Sequence, residues 1–430
     1  MKNESQVHKL ALLGGRKAIP RPLKRYNPIG REEARAAKRV VESGVLSQFI
    51  GAWHDDFLGG PRVREFERAW AAHFGVKHAV TVNSCTSALS AAIGAIGIEP
   101  GDEVIVTPWT MSASATAIVH WNAIPVFADI DPRTFCLDPK SVEANITPHT
   151  RAIVAVDIFG QSADMDALMA IARKHRLKVI SDAAQAPGAL YKGRHAGTLA
   201  DVGCFSLNYH KHIHTGEGGV VVTDDPRLAE RVSLIRNHAE AVVGGKGETD
   251  LVNMVGYNFR LGEIEAAIGI EQLKKLKKLV ATRQRAAARL TQGLKGLPGL
   301  RTPYIALDGT HVYYVYPMVL DIAALGVERK RIYDALTAEG VPGLGAGYVN
   351  VHRMPMYQKK IGYGGKGYPW VGAARRDIDY RTGICPTAEE LHDRTFLGFQ
   401  MCLHDLGREE IDLVVAAFRK VWSQIEALKS

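Results

Sequence analysis

One lysine offers the clearest chemistry in the chain. It stands in Cys204-Phe205-Ser206-Leu207-Asn208-Tyr209-His210-Lys211-His212-Ile213-His214-Thr215-Gly216-Glu217-Gly218-Gly219, between a strand-like run over 201–207 and another over 220–223. A lysine amine condenses with aldehydes, and does so well near neutral pH only when burial or neighbouring cations lower its pKa. Three histidines flank Lys211, its surroundings are apolar and strand-rich, and the glycines let a ligand approach the backbone. These features point to the Schiff-base lysine of a pyridoxal phosphate (PLP) enzyme. The plain alternative is a surface lysine in a hairpin turn.

Two further stretches supply what such a cofactor needs. After the strand-like run 78–82 comes Asn83-Ser84-Cys85-Thr86-Ser87-Ala88-Leu89, a small-residue turn opening a helix. The first N–H groups of a helix are free and its dipole favours an anion, so a phosphate fits at Cys85 and Thr86. Alternatively, Ser84 or Thr86 merely caps the helix. After the run 177–181 comes Asp182-Ala183-Ala184-Gln185-Ala186-Pro187-Gly188. A carboxylate at a buried strand end is costly unless paired. A protonated pyridine nitrogen is a suitable partner, and the pair keeps the ring an electron sink. The other reading has Asp182 capping the following turn. Gln185 could reach the phenolic oxygen of the same ring, and Ser206 could donate to phosphate, with Asn208 also counted among the cofactor-binding residues.

The elements that must position these groups follow from periodicity. Short β-branched runs over 78–82, 103–107, 125–129, 152–156, 177–181 and the two beside Lys211 alternate with helical patterns over 86–96, 112–121, 165–175 and 228–237. Near-continuous apolar strands separated by helices predict an α/β fold, with a mostly parallel, seven-stranded sheet covered on both faces. Ligands gather at the carboxyl ends of such strands. Residues 1–30, with Gly14-Gly15, Pro20, Pro22 and Pro28, read as an extended arm. A large domain is expected over 31–280 and a smaller C-terminal α/β domain over 281–430, with one or two long helices over 261–296 bridging them. The loop 345–369, rich in Gly, Tyr and Lys, reads as irregular and ligand-facing.

Composition removes other classes. The chain is 46% hydrophobic and 23% charged, ordinary for a globular protein. Its net charge of +9 suits an anionic ligand but is spread out, so no nucleic-acid partner is expected. The Lys274-Lys275-Leu276-Lys277-Lys278 run reads as a solvated helix face. Five scattered cysteines form no C-x-x-C pair, and neither a disulfide framework nor a metal centre is indicated. No signal peptide or membrane span is expected, leaving the cytoplasm as the default compartment.

Three blocks carry a family resemblance. Asp182-Ala183-Ala184-Gln185, Lys211-x-Ile213-x-Thr215-Gly216-Glu217-Gly218-Gly219 and Gly256-Tyr257-Asn258-Phe259-Arg260-Leu261 resemble the signatures of the DegT/DnrJ/EryC1/StrS aminotransferases, and the likeness runs from about residue 28 to the end. It implies the PLP-dependent transferase fold type I, that of aspartate aminotransferase, and a homodimer with sites shared across the interface. Asn258 and Arg260 would then reach the cofactor phosphate or substrate of the partner subunit, though Asn258 could also cap the helix that follows. Three positions depart from the pattern. Cys85 stands where glycine is usual, Met111 or Trp109 where an aromatic ring covers the pyridine, and Pro187 where histidine is common.

The resemblance further implies transfer of an amino group from L-glutamate or L-glutamine, carried as pyridoxamine phosphate, to a keto-sugar, with a nucleotide-linked one expected. A keto-cyclitol of the scyllo-inosose type is the alternative acceptor. Some relatives with histidine for the lysine are sugar dehydratases; here Lys211 is in register, five residues before Gly216, which favours amino transfer. His352 and Tyr357 are candidates to meet acceptor hydroxyls. A zinc site from His210, His212 and His214 is a weaker alternative, resting on their alternation along a strand.

Overall fold

The computed structural model describes residues 9–306, 308–371 and 378–429. Seven strands form one sheet: β1 (His78–Val82), β2 (Glu103–Val106), β3 (Ile124–Phe127), β4 (Thr150–Val156), β5 (Lys178–Asp182), β8 (Val202–Ser206) and β9 (Gly219–Thr223). Between β5 and β8 lies a small hairpin, β6 (Leu190–Tyr191) and β7 (Arg194–His195). The spatial order is β1-β9-β8-β5-β4-β2-β3. The pairs from β8 through β3 are parallel, while β9 runs antiparallel to both of its neighbours. Residues 103–106, 124–127 and 202–206 are buried throughout, because both faces of the sheet are covered.

The cover comes from helices on either side. Among them are α1 (Arg31–Ser43), α2 (Pro61–Phe74), α3 (Cys85–Ala95), α4 (Ala113–Val119), α5 (Met165–His175), α6 (Pro226–Arg236) and α7 (Glu263–Leu294). Helix α2 shows the pattern well. Pro61 at its first turn fixes the start, Gly75 closes it in the left-handed conformation, and Val63, Phe66, Trp70 and Phe74 make one buried face. Burying each such side chain stabilises the fold by about 1.5–3 kcal/mol. Its ring surface meets Phe205 of β8, Trp70 lying 5.3 Å from that ring.

Helix α7 is a single element of 32 residues, so the boundary expected at residue 280 falls inside it. It packs on α1 and α2 at one end and on α9 (Arg408–Ser423) at the other. The C-terminal part holds a second sheet, in the order β10 (Leu300–Arg301), β11 (Val315–Leu320), β13 (Phe396–Gln400), β12 (Leu344–Ala346), antiparallel at every pairing. Helix α8 (Arg329–Ala338) and α9 cover it. The N-terminal stretch is not a free arm where it is described. Leu10, Ile19 and Leu23 are buried in this C-terminal core, and the N–H groups of Ala11 and Ala18 donate to Glu339 at 2.7 and 2.9 Å. No helix among the described residues is long and apolar enough to cross a membrane.

Candidate active site

Reversal of β9 brings the chain straight back from β8, and the returning segment 207–218 is a turn folded over the carboxyl edge of the sheet. Leu207 N–H donates to Gly218 O at 2.8 Å, Thr215 N–H to Leu207 O at 3.0 Å, and Lys211 N–H to Asn208 O at 2.9 Å. Ile213, 1% exposed, pins the turn into the core. The Lys211 side chain is buried, and its amine has no ion pair or hydrogen bond among the described residues. Its contact is the face of Tyr314, 4.2 Å from Nζ to the ring centre. Burial pushes its pKa down, and the nearby Cys85, Asp182 and Cys402 only partly oppose this. A nucleophilic free amine is therefore accessible nearer neutrality than for an ordinary lysine.

The three histidines do not share a face, because their segment is a turn and not a strand. His210 borders the cleft, its pKa pushed down to about 4 by burial and by Lys211. His212 is fully buried, with Nε2 at 2.9 Å from Val312 O, while His214 Nδ1 accepts from Gly216 N–H at 3.3 Å. No group of three or more metal-ligating side chains occurs among the described residues.

Asp182 closes β5 beneath the same cleft and is 5% exposed. Ser114 Oγ donates to its Oδ2 at 2.7 Å, and Ala184 N–H to Oδ1 at 3.1 Å. The second bond is the turn cap weighed as an alternative role, so the carboxylate serves the turn while facing the cleft. Burial raises its pKa, and Ser114, Ala184 and Lys211 counter that. Gln185 is held at both ends: its Oε1 accepts from Phe159 N–H at 2.9 Å and its Nε2 donates to Tyr348 OH at 3.2 Å. Beside them lies Asp157, whose Oδ2 accepts from Ser181 Oγ at 2.7 Å and Oδ1 from Ala163 N–H at 2.9 Å. Burial, helped by Asp182, pushes Asp157 up to about 7 against these hydrogen bonds.

At the other end of the cleft stands the start of α3. Ser84 is its cap, accepting from Ser87 N–H at 3.1 Å, while Cys85 and Thr86 follow as the first helical residues along the cleft wall. Burial first, then Asp182, raises the Cys85 thiol well above its usual pKa, so it is a neutral group here. Gly219 makes this arrangement possible: a Cβ there would lie 2.5 Å from Ser84 O, so only glycine lets β9 lie against the turn. Ser206 Oγ accepts from Asn208 N–H at 3.3 Å. Asn208 Nδ2 donates to both Glu217 oxygens at 2.8 and 2.9 Å, leaving its buried Oδ1 without a partner among the described residues.

Of the two candidates for covering a ring, Met111 lines the cleft and Trp109 does not. Trp109 is fully buried among Phe135, Phe159, Tyr348 and Phe396. The Met111 thioether is folded back, accepting from Ala113 N–H at 3.0 Å.

Four expected residues lie outside the cleft of this single chain. Asn258 is exposed, its carbonyl taking the Asn83 side chain at 3.4 Å, and Arg260 is half-buried with no partner for Nε among the described residues. His352 and Tyr357, expected to meet acceptor hydroxyls, are instead buried at 0% exposure. His352 Nε2 lies 2.9 Å from Glu389, and Tyr357 packs among Phe127, Trp370 and Tyr380. The apolar partners of Tyr357 come from other segments, so these two side chains are core within a loop that reads as irregular and ligand-facing. Conversely, Ser114 lines the cleft, Tyr314 touches Lys211 and Tyr348, within the loop read as ligand-facing, bonds Gln185, although none of the three was singled out from the sequence. Ser114 carried the nearest signal, a small polar residue at the start of a helix following a buried strand.

The cleft holds a cavity of about 170 Å³ and opens to the outside. PLP suits its residues: a buried amine without an ion pair among the described residues, a buried carboxylate for a cationic ring, and a helix start with hydroxyls at the far end. The unpartnered Asn208 Oδ1 marks polar capacity that the protein itself does not use.

Comparison with known proteins agrees with this geometry. Residues 48–418 match the DegT/DnrJ/EryC1/StrS aminotransferase family. The spore coat polysaccharide biosynthesis protein SpsC of Bacillus subtilis is 40% identical over 79% of this chain and 86% of its own length. L-glutamine:2-deoxy-scyllo-inosose aminotransferase of Streptomyces lividus is 35% identical over 96% of this chain and 97% of its own. Among solved structures, DesI in the presence of its TDP-sugar product superposes with a TM-score of 0.81 at 30% identity, covering 98% of each chain.

Proposed function

Because the chain belongs to the DegT/DnrJ/EryC1/StrS aminotransferase family, a family of PLP-dependent enzymes, we propose that it transfers an amino group from L-glutamate or L-glutamine to a nucleotide-linked keto-sugar. The observation that carries this reading is the buried Lys211 amine, unpaired among the described residues, in one cleft with the Asp182 carboxylate. When bound, PLP supplies an aldehyde and a cationic ring that accepts the electron pair of a breaking Cα–H bond. Lys211 would hold the aldehyde and would take and return the proton at the reacting carbon of the amino donor. Asp182 would hold the proton on the ring nitrogen, and the start of α3 with Ser206 would take the phosphate. Gln185, locked by Phe159 and Tyr348, keeps a fixed donor beside the ring. In a homodimer, Asn258 and Arg260 of each chain would complete the neighbouring site.

The nucleotide-linked acceptor is supported by the net charge of +9 and by an Arg260 Nε without a partner among the described residues. A keto-cyclitol is the second reading, favoured by a likeness to the scyllo-inosose aminotransferase that spans 96% of the chain. The test is to load the protein with pyridoxamine phosphate and offer nucleotide keto-sugars and unphosphorylated keto-cyclitols in turn. Return of the visible PLP band with a nucleotide keto-sugar is the expected result. A response confined to the cyclitols would overturn the acceptor, and no response to any ketone would overturn the transferase reading.

A further inference from the structure

Asp182 has to stay ionised in a setting that works against it. Burial disfavours its charge, and the titratable groups around it are mixed in sign: Lys211 from the turn, Asp157 after β4, Cys85 at the start of α3, Cys204 on β8 and Tyr348 from the C-terminal part. Against this, its carboxylate receives one side-chain hydrogen bond among the described residues, from Ser114 at 2.7 Å. Ser114 is itself 1% exposed and lies 2.9 Å from the hydroxyl of Thr110, equally buried. A serine hydroxyl has one proton. If it goes to Asp182, the Thr110 contact can only be Thr110 donating to Ser114. Two hydroxyls thus point in series toward the carboxylate, and this order holds only while Asp182 accepts.

We propose that Ser114, backed by Thr110, is a positioning residue that keeps the Asp182 carboxylate ionised and oriented for the ring nitrogen of bound PLP. The inference rests on the cleft being a PLP site. Each hydroxyl acts through its neighbour: Thr110 commits the proton of Ser114, and Ser114 stabilises the anion. Without Ser114 the carboxylate becomes more basic and draws the shared proton from the ring nitrogen toward itself. The ring becomes less cationic and a weaker electron sink.

The experiment uses the full chain, freed of cofactor and titrated with PLP. It compares wild type with Ser114→Ala, Ser114→Thr and Thr110→Val. Ser114→Ala is expected to weaken PLP binding roughly tenfold, the loss of one charge-assisted hydrogen bond, and to move the pH midpoint of the bound cofactor's visible band upward. Ser114→Thr should restore both, and Thr110→Val should shift the midpoint the same way by less. Thr110→Val leaves Ser114 in place and gives an answer even if Ser114→Ala does not fold. A purely structural role would lower the melting temperature of the cofactor-free chain and leave the midpoint where it was, and that result overturns the inference. So does Ser114→Thr behaving like Ser114→Ala. A wild-type chain that takes up no PLP sinks the cofactor reading itself, a failure distinguishable from these.

Discussion

The turn carrying Lys211 and the segment around His352 are both dense in basic side chains, and they use them in opposite ways. Around His352 the ionisable side chains are paired with one another. Its Nε2 lies 2.9 Å from Glu389, Arg353 reaches Glu389 at 3.0 Å and Asp393 at 2.8 Å, and Gly383 N–H adds a bond to Glu389 at 2.8 Å. In the Lys211 turn a buried amine rests on an aromatic face, with Asp182 near enough to act on it but no ion pair or hydrogen bond among the described residues. The first arrangement pairs its charges internally, although His352 Nδ1 and Arg353 Nε have no partner among the described residues. The second leaves desolvation uncompensated, which a fold sustains where a ligand will supply the missing partner.

The comparison breaks or holds on substitutions, taken here from the largest effect downward. Lys211→Ala should cut turnover by on the order of 10³-fold or more and abolish the visible cofactor band. It should leave the melting temperature of the cofactor-free chain unchanged or higher, since a buried cation disappears with no partner left behind. A marked loss of stability would mean that Lys211 is a structural lysine after all. Glu389→Ala should do the reverse. It removes the Nε2 partner of His352 and leaves Arg353 with Asp393 alone, and should cost about 2 kcal/mol of stability, seen in urea unfolding, while PLP affinity stays within about twofold of wild type.

Glu389 also sets an acid limit. Burial acts to raise its carboxyl, and the Gly383 N–H, His352 and Arg353 outweigh that, so its pKa stands below the ordinary value. A depressed folded pKa contributes stability that is complete above the unfolded value, about 4.3, and lost as pH falls through the folded one. Melting temperature should therefore drop more steeply in this acid range for wild type than for Glu389→Gln, and parallel curves would remove the carboxylate from the account. The smallest effect is expected from Tyr348→Phe. It deprives the Gln185 amide of one partner, about 1 kcal/mol, which should appear as a several-fold loss in PLP affinity without change in the Asp182-dependent pH midpoint.

The sheet was legible because its strands are short apolar runs between helical patterns: 78–82 and the helix 165–175 emerge with the bounds expected. Asp182 and Lys211 drew attention for a related reason, since Asp182 directly follows such a run and Lys211 lies in the turn beyond another, and both line one cleft. What stayed hidden depends on contacts between distant segments. Tyr314 and Tyr348 reach Lys211 and Gln185 from the C-terminal part, over 100 residues beyond Lys211 in the chain, and no local pattern announces those contacts. Met111 and Trp109 could not be separated, as both are large, apolar and two residues apart. Only packing against Phe135, Phe159 and Phe396 assigns Trp109 to the core. His352 and Tyr357 were misjudged because glycine, tyrosine and lysine dominate their neighbourhood, a composition that tracks solvent until rings from elsewhere close over it. The N-terminal stretch failed likewise: prolines mask Leu10, Ile19 and Leu23, three buried anchors too widely spaced to show a period.

One reversed strand has a consequence for how this chain tolerates change. Parallel neighbours are joined by long crossovers that can lengthen without disturbing either end. The reactive lysine instead sits in a return loop stapled at both sides, with Ser206 facing Gly219 and Gly203 facing Val222 across the ladder. Adding or deleting one residue there cannot be absorbed as slack. It must either slip the β8–β9 register, turning every side chain of one strand to the opposite face, or rotate the amine out of its seat. Variation in loop length among such proteins should therefore collect on the helical crossovers and avoid this loop.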